Sequence, residues 1–206
     1  MGVKNCFPII FTLLIMLSFS SFIGCKKESA NPVQNNIDTT AVDTGFVKYT
    51  IRQGQQYCDQ NTLKLVNLNT MAFKVVFDSS AIYTTINPVN QFDINKLYGF
   101  SEGFNHQYNS ARFGWRWSND SLRLFGYVYN NGNRLSQEIS TIAIGDTIAC
   151  KIELQTSNYL FQVDNRQVLI PRTATGSLAN GYQLYPYFGG DETAPQLITI
   201  RIKDGL

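Results

Sequence analysis

The most regular pattern along the chain is a two-residue alternation over residues 110–129. Two alternating runs are joined by Ser118-Asn119-Asp120-Ser121, which are small polar turn formers, so the segment predicts a β-hairpin. One face of the first strand carries Phe113, Trp115 and Trp117, and the other carries Arg112, Gly114 and Arg116. Because arginine is rarely buried without a partner, the tryptophan face is predicted to point inward.

The second strand of this hairpin divides in the same way. Its inward row is predicted to be Leu122, Leu124, Gly126 and Val128, and its outward row Arg123, Phe125, Tyr127 and Tyr129. The outward face therefore sets arginines beside aromatic rings. That face is where a ligand is expected.

Short alternating segments recur through the rest of the chain, separated by turn residues such as Asn130-Asn131-Gly132-Asn133. The further predicted strands are 46–52, 63–68, 72–78, 81–86, 135–144, 147–154, 158–163, 167–170, 182–188 and 197–203. Residues 89–109 lack the pattern and are predicted to form a long loop with a helical turn near 93–97. No segment shows sustained helical periodicity. These features predict an all-β fold, an antiparallel two-sheet β-sandwich of jelly-roll type, with a closed barrel as the alternative.

The N-terminal segment has a different character from the rest. Lys4 precedes an almost wholly apolar run over 7–22, as in a secretory signal. The run ends at Phe22-Ile23-Gly24-Cys25, which resembles the lipobox of bacterial lipoproteins, although leucine is commoner where Phe22 stands. The resemblance implies acylation of Cys25, for example by palmitate, and cleavage before it. An uncleaved membrane-anchoring helix is the alternative.

This interpretation gives three parts: a signal peptide (1–24), a polar disordered tether (25–45) and a β-sandwich domain (46–206). The expected location is the bacterial cell envelope, with the protein held by lipid on the outer membrane and facing the periplasm or the surface. The net charge of the 206-residue chain is only +2, which does not favour a nucleic-acid partner. A monomer is expected.

Residues 145–171 form a strand, a second strand, the Asp164-Asn165 turn and a further strand. This arrangement looks like the central part of concanavalin-like lectin and glucanase domains, and implies their sandwich fold. The segments 110–117 and 185–195 also look like uncharacterised surface lipoproteins of this fold, which imply no particular activity.

The two cysteines of the domain, Cys58 and Cys150, allow two readings. An exported protein can join them in a disulfide, whereas a cysteine on an apolar strand such as Cys150 is often a small core residue. No Cys-x-x-Cys or Cys/His cluster predicts a zinc site.

Residues with catalytic potential are few. His106, in the predicted loop, is the single histidine, and neither a Gly-x-Ser-x-Gly motif nor the Glu-x-Asp-x-Glu pattern of sandwich glycosidases is present. Asp191 and Glu192 could supply oxygen atoms to a calcium ion, or could form a solvated acidic loop. No other cofactor is expected.

A set of aromatic, arginine and amide side chains is typical of glycan binding. It consists of Asn109, Arg112, Arg116, Tyr127, Tyr129, Tyr185 and Tyr187, with His106 close by. Aromatic rings pack on sugar faces and guanidinium groups pair with carboxylates or sulfates, so non-catalytic binding of anionic glycans is the main hypothesis. The same side chains could instead simply cover an exposed sheet.

Two other hypotheses follow from these residues. One is a polysaccharide lyase on uronic-acid polymers, with Arg112 or Arg116 neutralising the carboxylate, His106 removing the proton and Tyr127 donating to the leaving oxygen. In that scheme an arginine beside Tyr127 is expected to favour its phenolate. The other is a structural envelope protein with no small ligand.

Overall fold

The computed structural model describes residues 45–206. The predicted signal peptide, the acylation of Cys25 and nearly all of the tether lie outside the described residues. Within the described part of the chain, no helix has the length and apolar character needed to span a bilayer.

The described residues form two antiparallel six-stranded sheets that pack as a sandwich, which confirms the predicted fold class. The strands are β1 (Val47–Ile51), β2 (Leu65–Leu68), β3 (Thr70–Phe77), β4 (Asn95–Ser101), β5 (Asn109–Ser118), β6 (Ser121–Asn130), β7 (Asn133–Ile142), β8 (Thr147–Leu154), β9 (Asn158–Val163), β10 (Arg166–Pro171), β11 (Ala179–Leu184) and β12 (Ile198–Asp204). The first sheet has the order β1-β12-β3-β8-β9-β10 and the second β2-β11-β4-β5-β6-β7. Two short 3₁₀ turns, Ser79–Ala81 and Pro88–Phe92, precede β4.

The core lies between the two sheets and is rich in aromatic rings. Trp115 is fully buried and lies 5.3 Å from the ring of Phe77 in the opposite sheet, measured between centroids. Phe113 contacts Phe73 and Phe161 of that sheet edge to face. The predicted inward row of the β5–β6 hairpin is thus confirmed. The opposite row, which carries Arg112 and Tyr127, lies on the outer face of the second sheet.

The predicted strand over 81–86 is wrong, although its alternation of buried and exposed residues is present. Its backbone is bonded by the side chain of Gln91 and not by a neighbouring strand. That amide accepts from the Thr85 N–H at 2.9 Å and donates to the Tyr83 carbonyl at 3.1 Å. A side chain can satisfy buried backbone groups as a sheet ladder does, and the sequence pattern does not distinguish the two.

The predicted long loop and its helical turn at 93–97 are also corrected by the structure. The turn is Pro88–Phe92, and Asn95–Ser101 is strand β4, which lies between β11 and β5. All seven residues of β4 are buried, so no polar and apolar alternation marks it. The strand predicted at 182–188 begins and ends earlier, at Ala179 and Leu184.

Cys58 and Cys150 are both buried and both free, so the disulfide alternative is wrong. Cys58 forms a β-bridge with Ile51 of β1, so it lies beyond the β1 edge of the first sheet. Cys150 lies in β8, and strands β1, β12 and β3 lie between the two cysteines. Four strand spacings amount to on the order of 19 Å. Disulfides require Cα atoms within about 7 Å. Cys150 is a small core residue, as the other reading predicted.

Candidate functional site

A cavity of about 590 Å³ opens on the outer face of the second sheet. Its floor comes from β4, β5 and β6, and its walls from the segments around Tyr57, His106 and Tyr182–Asp191. Six of the side chains predicted from sequence line it: His106, Arg112, Tyr127, Tyr129, Tyr185 and Tyr187. The register explains part of this grouping, since Arg112 is directly opposite Tyr127 in the β5–β6 ladder and their side chains share a face.

Arg112 is the most unusual side chain in the cavity. It is 8% exposed, and among residues 45–206 its Nε has no hydrogen-bond partner. Within residues 45–206 no carboxylate forms an ion pair with it. Its contact is with a ring, since its Cζ lies 5.6 Å from the centroid of Tyr127. Burial lowers the pKa of this guanidinium, which means that its charge is poorly solvated here.

Lys96 is a second buried cation in the same cavity. It is 9% exposed, and its Nζ donates to the Gly189 carbonyl at 2.5 Å. The Nζ lies 5.4 Å from the ring centroid of Tyr127 and 5.7 Å from that of Tyr187. Burial, with smaller effects of Arg112 and Arg134, lowers the pKa of Lys96 to about 8.

Tyr127 tests one expectation from the sequence. The side chain is 3% exposed, and burial raises its pKa to about 12 against a smaller opposing effect of Arg112. Arg112 acts in the expected direction, but burial outweighs it and the phenolate is disfavoured overall. With cations near its ring and Tyr129 against it at 6.0 Å, Tyr127 is part of the cavity floor.

His106 lies in the loop between β4 and β5, and its Nδ1 is 2.7 Å from the hydroxyl of Tyr182. Ser110 donates its hydroxyl to the His106 carbonyl at 2.7 Å and so holds the loop against β5. Burial, with a smaller effect of Arg112, lowers the pKa of His106. The imidazole is therefore neutral at pH 7 and paired with a phenol inside the cavity.

Aromatic rings form the opposite wall. Tyr57 and Tyr187 pack edge to face with centroids 4.9 Å apart, and Tyr57 is 66% exposed. Tyr185 contacts Tyr49 and Tyr98 at its base. Unlike Tyr127, Tyr57 offers much of its ring to solvent, so it can pack against the C–H face of a sugar.

Two residues of the predicted set lie apart from this cavity. Arg116 donates from Nε to the Ser118 hydroxyl at 3.1 Å and from a terminal nitrogen to the Phe92 carbonyl at 2.7 Å, above the ring of Phe125. Asn109 accepts the Asn131 N–H at 2.9 Å and thus supports the turn between β6 and β7. Both therefore have hydrogen bonds to other parts of the fold.

Asp191 and Glu192, for which calcium binding and a solvated loop were the two alternatives, differ in their environments. Asp191 is exposed at the cavity rim. Glu192 accepts from the backbone N–H groups of Ile86 and Asn87 and from the Asn90 amide at 2.7 to 3.0 Å, and these bonds lower its pKa. In the part of the chain that the structure describes, no group of three or more acidic, histidine or cysteine side chains is arranged to hold a metal ion.

Sequence reasoning missed several residues of the cavity: Tyr57, Lys96, Arg134, Tyr182 and Gln183. Lys96 was missed because β4 was taken for a loop. The cluster Tyr182, Tyr185 and Tyr187 was a signal in the sequence for the aromatic wall, but only its last two members were selected.

Comparison with known proteins identifies the fold. No protein-family model matches the sequence, and no curated protein matches it. The chain is similar to the alginate lyase AlyC3 at a TM-score of 0.56 and 11% identity, over 78% of this chain and 74% of that one.

Two further solved structures are more distant. An alginate lyase from Corynebacterium sp. has a TM-score of 0.45 and 10% identity to this chain, over 82% of this chain and 83% of that one. The carbohydrate-binding module CBM66 from Bacillus subtilis has a TM-score of 0.38 and 11% identity, over 78% of this chain and 92% of that one. At these identities, the likeness to AlyC3 establishes a shared β-sandwich architecture.

Proposed function

We propose that the domain binds anionic glycans in the cavity, with a ligand carboxylate paired to Arg112. The observation that carries this proposal is the burial of Arg112 without a carboxylate partner and with an unbonded Nε. A buried donor that lacks an acceptor lowers stability by about 1–3 kcal/mol. A carboxylate offers the planar pair of acceptors that a guanidinium matches best.

The remaining lining suits a sugar. Tyr57 and Tyr187 supply ring surface, while the hydroxyls of Tyr129 and Tyr182 supply polar groups. A volume of about 590 Å³ is in the range of small-ligand sites, which is compatible with one or two sugar rings.

Isothermal titration of the purified protein with short oligouronates and with neutral oligosaccharides of equal length tests this function. Oligouronates are expected to bind and neutral sugars to bind at least about tenfold more weakly, because a charge-assisted bond contributes about 1.5–3 kcal/mol. Arg112→Met is expected to remove the difference. Arg116→Met, the same change two residues along the strand but outside the cavity, is expected to retain it. Equal affinity for charged and neutral sugars contradicts the proposal.

A second candidate function is a polysaccharide lyase, and the pairing of His106 with Tyr182 favours it. A neutral imidazole can accept the proton next to a uronate carboxylate while Arg112 stabilises the charge that develops. Tyr182 is better placed than Tyr127 to exchange a proton with His106, since the two groups are 2.7 Å apart. The shared fold with an alginate lyase makes alginate a suitable first substrate.

His106→Ala separates the two functions. A binding protein keeps its affinity for oligouronates in this variant, and neither form produces unsaturated uronates, detected by their ultraviolet absorbance. A lyase shows that absorbance in the wild type and loses it in His106→Ala while still binding. Tyr182→Phe, which removes only the hydroxyl that contacts His106, is the matched second variant.

We also propose that the chain is exported and acylated on Cys25, which would hold the domain at a membrane of the cell envelope. The support is the apolar run over 7–22 followed by Gly24-Cys25 in the sequence. Mass spectrometry of the protein from its native membrane tests this: a lipid-modified Cys25 at the N-terminus is expected. An intact Met1 or an unmodified Cys25 contradicts it.

A further inference from the structure

Lys96 has hydrogen-bonding capacity that the fold does not use. An ammonium group has three N–H donors, and one acceptor, the Gly189 carbonyl, lies within reach in the described structure. Lys96 is 9% exposed, so water has little access to the remaining two donors. Within residues 45–206 no carboxylate forms an ion pair with it.

Lys96 and Arg112 both lie against the ring of Tyr127. Their charged groups lie 5.4 and 5.6 Å from the same ring centroid, that of Tyr127. Each of the two is nine-tenths buried or more, and Arg112 contributes to lowering the pKa of Lys96. Two like charges in one cavity, with no ion-pair partner among residues 45–206, repel each other, which is unfavourable in the empty cavity.

The other charged groups around Lys96 do not provide that counter-charge. Arg134 lines the cavity and adds to the positive side, while His106 is neutral at pH 7. Asp191 is exposed at the rim, and Asp93 acts on Lys96 more weakly than either arginine does. A ligand with one carboxylate compensates Arg112 and leaves Lys96 uncompensated.

We propose that the cavity recognises two anionic groups of one glycan, with Arg112 binding the first and Lys96 the second. This inference rests on the proposed binding of anionic glycans and names the ligand class: a segment with negative groups on neighbouring positions. Two consecutive uronates supply such a segment, and so does a uronate beside a sulfate ester. The shared chemistry is a pair of oxyanions on one ligand, which face the two cations that line the cavity.

Titration of the wild-type protein with oligosaccharides of equal length tests this inference. The set carries no charge, one uronate, two consecutive uronates, or one uronate beside a sulfated sugar. The two doubly charged ligands are expected to bind at least about tenfold more tightly than the singly charged one, since each adds a charge-assisted bond. Tighter binding of only one of the two doubly charged ligands identifies whether Lys96 binds a carboxylate or a sulfate, and still supports the inference.

Variants and pH assign the second charge to Lys96. In Lys96→Gln, double and single ligands are expected to bind equally, whereas Lys48→Gln, an exposed strand lysine outside the cavity, should retain the difference. The preference should also decline in the wild type as the pH rises through about 8, the value at which Lys96 loses its proton.

The outcomes distinguish the inference from the function on which it rests. Equal binding of singly and doubly charged ligands, with weaker binding of the neutral one, overturns the role of Lys96 and leaves the glycan proposal standing. Equal binding of all ligands, or of none, overturns both. Retention of the preference in Lys96→Gln also overturns the inference.

Discussion

Replacing Arg112 with methionine is expected to stabilise the empty protein. The change removes a buried guanidinium whose Nε has no acceptor and which lies beside the charge of Lys96. Removing an unsatisfied buried donor returns about 1–3 kcal/mol. Losing the contact with the Tyr127 ring opposes this by about 0.5–1 kcal/mol, and the methionine recovers part of that by packing on the same ring. A net rise of about 1–2 kcal/mol in the free energy of unfolding is expected, together with loss of the preference for charged over neutral glycans.

Arg116→Met is the matched control, because it makes the same chemical change two residues along β5 with the opposite expected sign. Arg116 donates two hydrogen bonds and contacts the ring of Phe125, so its removal should lower the free energy of unfolding by about 1–2 kcal/mol. Urea denaturation without ligand measures both variants. With a slope of about 1–3 kcal/mol per molar urea, their midpoints should differ by about 1 M or more. If Arg112→Met is destabilised as much as Arg116→Met, Arg112 has a stabilising role in the empty fold and the reasoning fails.

Three further predictions concern stability. The pKa of Lys96 is lowered from 10.5 to about 8 in the folded protein, so between pH 8 and 10 the unfolded state holds more protons at this residue than the folded state does. The stability of the wild type relative to Lys96→Met should therefore rise with pH over this range, by on the order of 2 kcal/mol. Parallel urea titrations of the two proteins measure this change. Arg172→Met should lower the free energy of unfolding by about 3–5 kcal/mol, since it leaves the carboxylate of Glu102 buried without its cation. A change under about 1 kcal/mol in chemical denaturation would argue against a stabilising Arg172–Glu102 ion pair. Gly99→Ala should lower the thermal midpoint, corresponding to a loss of about 1–3 kcal/mol, because its added carbon overlaps the backbone oxygen of Ala111; an unchanged midpoint contradicts this close packing.

The β5–β6 hairpin could be predicted from sequence because apolar and polar residues alternate along its first strand, although most of its residues are buried on both faces. Trp115 enters the core, and its neighbours Gly114 and Arg116 do not. Strand β4 could not be predicted in this way, because its sequence, NKLYGFS, has no such alternation although all of its residues are buried. Its polar residue Asn95 is accommodated by bonds to the Tyr83 hydroxyl and the Gly189 N–H, which come from segments remote in sequence.

The candidate site shows the same limit. The sequence placed Arg112 and Tyr127 on one outward face, and the ladder brings them together as predicted. It gave no means of separating Arg112 from Arg116, which have the same spacing pattern but opposite environments. Arg116 donates to the Phe92 carbonyl and the Ser118 hydroxyl, whereas the Nε of Arg112 has no partner in the described part of the chain. That difference depends on where the loops pack, which alternation does not encode.

The central claim is that the guanidinium of Arg112 binds an anionic group of a glycan. Nuclear magnetic resonance of the arginine Nε–H groups tests this binding most directly. The resonances of Arg112 and Arg116 are assigned from their absence in Arg112→Met and Arg116→Met. The wild-type protein is then titrated with an oligouronate. The Arg112 signal is expected to shift in step with the binding isotherm while the Arg116 signal stays in place. Saturable binding that leaves the Arg112 signal unmoved would contradict the account.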